Sequence, residues 1–135
     1  MPIPDWATLL TSPHALYEMY ESPPDLSSCD LHYLHIDERG SSVTLGFDTR
    51  QLPPQPPADW QEKGFNAFEF YLLFLDVENL QVEGWRHPAR KAIRMTLQSD
   101  KRVVVSAGHA GSNLEFSASS VYLASTRGYA AAPGE

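Results

Sequence analysis

The sequence predicts a mainly β protein: one short N-terminal helix, then an antiparallel meander of seven or eight strands forming a strongly curved sheet, a sandwich or an open barrel. Three observations carry this prediction. From about residue 31 onward apolar residues alternate at period two, the alternating runs recur about every ten to twelve residues, and clusters of Gly, Ser, Asn and Asp separate them. With 135 residues the chain has the size of one domain, and a domain of this length buries roughly two-thirds of the surface that its unfolded form exposes. A single domain over residues 1–135 is therefore expected, with a proline-rich connector at 51–60 and a flexible tail at 126–135.

Each element has a local reason. Ser12 and Pro13 read as an N-cap followed by proline at the first helical position. The helix is expected from Pro13 to about Tyr20, with Ala15, Leu16, Met19 and Tyr20 on one face and Pro23–Pro24 preventing continuation. Leu31 to Ile36 and Val43 to Phe47 are expected to form a hairpin, joined by the turn composition Glu38-Arg39-Gly40-Ser41. Between Gln51 and Trp60, Pro53, Pro54, Pro56 and Pro57 remove backbone donors and hold the chain extended, so this stretch is read as a stiff connector. Asn66 to Val77 is the most apolar run. Phe68, Phe70, Leu72 and Phe74 point one way and Tyr71, Leu73, Leu75 and Val77 the other, the pattern of a central strand covered on both faces.

Val77-Glu78-Asn79 is expected to reverse the chain tightly into a strand from Leu80 to Trp85. Ile93, Met95 and Leu97 mark the next strand, Lys101 to Ala107 a valine-rich one, and Leu114, Phe116 and Ala118 another, with turns at Ser99-Asp100 and Gly108 to Ser112. Val121 to Ala124 continues as a last strand, and Thr126 to Glu135 has no core pattern.

Charge divides the chain. Residues 1–83 hold fourteen acidic residues against three basic ones, a balance of −11, and the remainder holds seven basic against three acidic, a balance of +4. The acids bunch as Glu18, Glu21, Asp25 and Asp30, as Asp37 and Glu38 at a turn, and as Asp76, Glu78 and Glu83. A net charge of −7 gives no general attraction to nucleic acid or to an anionic membrane. The basic residues Arg90 and Arg94 are explained as solvent-facing positions of the strand that buries Ile93 and Met95. A mean hydropathy of −0.33 and the lack of a long apolar span predict a soluble protein with no membrane partner. The lone Cys29 and the absence of a basic, apolar leader predict a reducing cytoplasm.

Catalytic and cofactor signals are weak. His32 and His35 stand three apart, so in a regular strand they point to opposite faces and do not share a metal; no metal and no cofactor are expected. Cys29 lies beside Asp30, which disfavours its thiolate. No Gly-x-Ser-x-Gly elbow, phosphate-cradling glycine loop or His-Glu-x-x-His pair is present, so no catalytic residue is assigned and no enzyme is expected. Trp60 and Trp85, at a linker end and a strand end, are read as core plugs or interface anchors.

A set of short segments resembles the immunity protein 50 family of bacteria, common in actinobacteria. They are Ser12-Pro13-x-Ala15-Leu16 with Tyr17 or Tyr20 following, Leu31-His32-x-x-x-Ile36, Gly40-x-x-Val43-Thr44-Leu45, Pro56-Pro57-Ala58-Asp59-Trp60, Gly64-Phe65-Asn66 and Gly84-Trp85. The resemblance implies an antidote of a polymorphic toxin system, a small cytoplasmic protein that binds a cognate toxin domain and blocks it. It carries over no catalytic residue and no contact residue. On that footing Glu18, Glu21, Asp37, Glu38, Asp76, Glu78, Glu83 and Trp85 are the expected toxin contacts, the carboxylates standing where phosphates would lie in a basic nuclease cleft. A monomer or weak dimer is expected when the protein is free. Two other readings stay open on the residues alone: a small-ligand-binding β-barrel protein or enzyme, and an accessory domain of a larger assembly.

Overall fold

Alternation of apolar residues becomes two sheets. The computed structural model describes residues 6–11, 25–50, 52, 58–84, 92–109 and 112–130. Among these, two 3-10 turns, η1 (Trp6–Leu9) and η2 (Leu26–Ser28), and one helix, α1 (Ala58–Lys63), accompany eight strands. The strands are β1 (Asp30–Asp37), β2 (Ser42–Thr49), β3 (Ala67–Leu75), β4 (Glu78–Glu83), β5 (Ala92–Leu97), β6 (Val103–His109), β7 (Ser112–Ala118) and β8 (Ser120–Tyr129). One sheet has the order β1-β2-β3-β8 and the other β4-β7-β6-β5, all antiparallel and not closed into a barrel. The helix expected from Pro13 to Tyr20 lies outside the described residues.

The inner faces share one apolar cluster. Val43, Leu45 and Phe47 from β2 and Phe68, Phe70, Leu72 and Phe74 from β3 pack against Val103, Val105 and Ala107 of β6 and Leu114, Phe116 and Ala118 of β7. Phe74 meets Phe116 edge-on at 5.0 Å across the two sheets. Phe47, Phe70 and Phe68 stack in a row, and Trp6 from η1 lies flat on Phe70 at 5.5 Å. As the two-sided pattern predicts, β3 is an interior strand, with its phenylalanine face buried and Tyr71, Leu73 and Leu75 half-buried on the other.

The structure corrects three expectations. The reversal expected at Val77-Glu78-Asn79 does not pair β3 with β4; the chain crosses to the other sheet, where β4 pairs with β7. A hairpin there would leave the phenylalanine face of β3 without an opposing layer, whereas the crossing starts that layer. Asp76 and Asn79 take left-handed φ of 54° and 58°, which Asp and Asn tolerate better than other side chains. The connector expected to stay extended to Trp60 instead turns helical at Ala58, because α1 carries Trp60 down onto Phe68 at 5.7 Å. The tail expected to be loose from Thr126 is the second half of β8, paired with β3 as far as Tyr129. Gly128 makes that possible: a Cβ there would stand 2.7 Å from the Trp60 ring.

Candidate functional site

The connections at one end of the sandwich bring together four of the acidic residues singled out by sequence. The β1–β2 turn carries Asp37 and Glu38, and the β3–β4 crossing carries Asp76 with Glu78 next along β4. The amide of Val77 donates to the Ser41 carbonyl at 2.8 Å, which ties turn and crossing together. The β5–β6 turn adds Asp100 at the same end, and Glu78, Asp100 and Glu115 line a polar concavity with Arg102.

These carboxylates are not equivalent. Arg102 donates to the Asp76 carbonyl at 2.7 Å, to Asp76 Oδ2 at 3.2 Å and to Ser117 Oγ at 3.2 Å, and lies 3.7 Å from Glu78. Asp76 is therefore a staple of the crossing, its charge already matched. Asp37 Oδ1 accepts from the amides of Arg39 and Gly40, so it shapes its own turn, while Glu38 is exposed beside it. Glu83 lies at the opposite end of β4, paired with Asn113, and does not join this group. Glu18, Glu21 and Trp85 lie outside the described residues.

A second surface escapes sequence reasoning. The pairing of β1 with β2 slips between Leu31 and Tyr33, so one extra residue is accommodated and the alternation of β1 shifts. His32 thus joins Tyr33 and His35 on the outer face of the first sheet, against the expectation of two histidines on opposite faces. Tyr33 lies edge-on to Tyr71 at 5.5 Å and stacked with His35 at 6.3 Å, while His32 meets Tyr71 at 6.1 Å. Gly46 makes room beneath: a Cβ there would stand 2.6 Å from the Tyr71 ring and 2.8 Å from Tyr33 Cβ. The only hint in the sequence is the aromatic content of Leu31 to Ile36, since a one-residue slip leaves no mark on a period-two pattern.

Charged groups border these rings. Glu69, with its side chain 12% exposed, lies 3.5 Å from His32 Nε2 and 3.4 Å from Arg127 Nε. The His32 contact is an ion-pair contact and not a hydrogen bond, so the buried Nε2 has no hydrogen-bond partner. Burial first, then the neighbouring Glu69 carboxylate, holds the Tyr71 phenol above its ordinary value. The Tyr129 hydroxyl donates to Asp48 Oδ2 at 2.8 Å; burial and that bond push its pKa up to about 12. The Cys29 thiol is pushed up to about 11, chiefly by burial, so it is a poor nucleophile at neutral pH. Among the described residues no three His, Cys, Asp or Glu side chains converge to hold a metal ion. What the arrangement offers is recognition: rigid rings on a sheet face next to a carboxylate-rich end.

The sequence pattern of the immunity protein 50 family matches residues 12–129, most of the chain. The chain belongs to the immunity protein 50 family. Membership implies a toxin-neutralising role with a protein toxin as partner. No curated protein and no solved structure matches this immunity protein 50 family member. Among its described residues no helix is long and apolar enough to cross a membrane.

Proposed function

We propose that the protein is a cytoplasmic immunity protein that binds the toxin domain of its own polymorphic toxin system and neutralises it by stoichiometric protein–protein inhibition, without catalysis. The observation that carries this reading is the family match over residues 12–129. An inhibitor of this kind works through complementarity over roughly 800 Å² per partner, with a few aromatic or charged anchors. The acidic end, with Asp37, Glu38 and Glu78 all exposed, suits a toxin with a basic active cleft such as a nuclease. Glu18, Glu21, Glu83 and Trp85 stay in the proposal as further contacts.

The test is co-expression with the toxin-like product of the adjacent gene as the candidate partner, reading host survival and co-purification. Rescue with a one-to-one complex supports direct inhibition. Toxicity without rescue sinks the cognate pairing, and rescue without any complex sinks inhibition by binding.

A further inference from the structure

Four strands end the two sheets, and three of those edges carry a block against further pairing. Along β5, the Ser27 hydroxyl accepts from the Ile93 amide at 3.0 Å and donates to the Ile93 carbonyl at 3.2 Å, so η2 takes up both backbone groups. Along β8, the Val121 carbonyl accepts from the Thr11 amide at 2.9 Å. In β4 the register slips between Glu78 and Gln81, and Asn79 stands at a left-handed φ of 58°, which kinks that edge.

β1 has a register slip of its own, between Leu31 and Tyr33, but is regular beyond it. From Tyr33 to Asp37 five consecutive residues pair regularly with Gly46 to Ser42, and no described strand pairs with their other side. Tyr33 is 41% and Ile36 40% exposed, and His35 and Asp37 are exposed as well. The stretch contains no proline, lysine or left-handed residue, the usual means of blunting an edge. Its outward backbone groups are a template for another strand.

We propose that the toxin docks here, adding one extended, lysine- or arginine-bearing segment of its own to the first sheet along Tyr33–Asp37. This rests on the immunity reading above and specifies its interface. Charge decides the occupant. β1 carries Asp30 and Asp37 and no lysine or arginine, Glu38 follows it ahead of Arg39, and Asp48 lies on the same sheet face, while Glu69 there is already paired with Arg127; the balance along the edge is acidic, so a basic segment is attracted. A second copy would bring the same acidic strand and another net charge of −7. Main-chain pairing supplies affinity, and Tyr33, held by Tyr71 and His35, is the rigid outward anchor that supplies selectivity.

The experiment uses the full chain and the toxin domain tested in that co-expression. Amide hydrogen exchange is followed over residues 33–37 in the free protein and in the complex, and affinity is measured for Tyr33→Ala, Ile36→Lys and, on the β4 edge, Val82→Lys. Exchange at alternate amides of 33–37 is expected to slow at least about tenfold on binding, Tyr33→Ala and Ile36→Lys to weaken binding by about tenfold or more, and Val82→Lys to leave it unchanged. The exchange measurement on the unaltered chain stands even where a variant misfolds. A tight complex with unchanged exchange at 33–37 overturns the proposal and leaves the immunity reading intact. Slow exchange there in a free protein of dimer mass overturns it in favour of a second copy, and no complex with the unaltered chain overturns both readings.

Discussion

Gly46 lies where two strands bring tyrosines together. Tyr71 is a ring on a half-buried side chain and has some freedom to swing, but Tyr33 Cβ, 2.8 Å from an added methyl, is fixed to the backbone of the paired strand. Gly46→Ala is therefore expected to destabilise the fold by about 1–3 kcal/mol. Urea unfolding measures this, and a loss below about 0.5 kcal/mol would show that the face repacks. Two weak acids, the buried Cys29 and the half-buried Tyr129, add a pH dependence. Cys29 is raised from 9.0 to about 11 and Tyr129 from 10.0 to about 12, so the native state favours both neutral forms. Their contributions are complete below the unfolded values and are lost as pH rises through about 11 and 12. Thermal melts from pH 8 upward are expected to show Tm falling from about pH 9, with Cys29→Ala flattening the first part and Tyr129→Phe the second. Identical slopes in the parent and both variants would assign the alkaline loss to other groups.

At the scale of elements, stability depends on how edges and crossings are finished. The contact of η2 with β5 is a single hydroxyl serving one residue's amide and carbonyl. Ser27→Ala is expected to cost about 1 kcal/mol and to open the β5 edge, seen as a lower urea midpoint and stronger light scattering on heating. A lower midpoint without added scattering would mean that η2 stabilises β5 but does not shield it. Element scale is also where sequence reading succeeds and fails most visibly. Phe68 to Phe74 and Val43 to Phe47 announce their strands because a face with one apolar residue in two has a single stable use. Trp60 does not announce its helix, because α1 has six residues and forms by burying Trp60 against Phe68 and Phe65, which the preceding prolines conceal. Thr126 to Tyr129 carries no period-two signal, and it becomes strand by pairing with β3 and fitting Gly128 under the Trp60 ring.

For the whole molecule, the uneven charge acquires a place. Turns distant in sequence meet at one end of the sandwich, and the proposed toxin contacts Asp37, Glu38 and Glu78 lie there with Asp100. Asp37→Asn combined with Glu38→Lys keeps the turn acceptor at position 37 while reversing charge at 38. Association with the toxin domain is expected to slow by about three- to tenfold at low salt and to depend less on salt. Stopped-flow rates at two ionic strengths measure this, and unchanged rates at both would take this end out of the encounter surface. Asp76 is a poor choice for the same experiment, because Arg102 holds it in the β3–β4 crossing and its loss would act through folding.

The sequence by itself determined the mainly β class, the β1–β2 hairpin, the interior place of β3 and the family, because apolar periodicity, turn residues and spaced short motifs are local properties of the chain. The division into two sheets, the pairing of β4 with β7, the histidines and tyrosines gathered over Gly46 and the open edge of β1 were decided only by tertiary structure. Each depends on which strand lies beside which and in what register. Those choices are set by covering the phenylalanine face of β3 as a whole, and no local pattern encodes them.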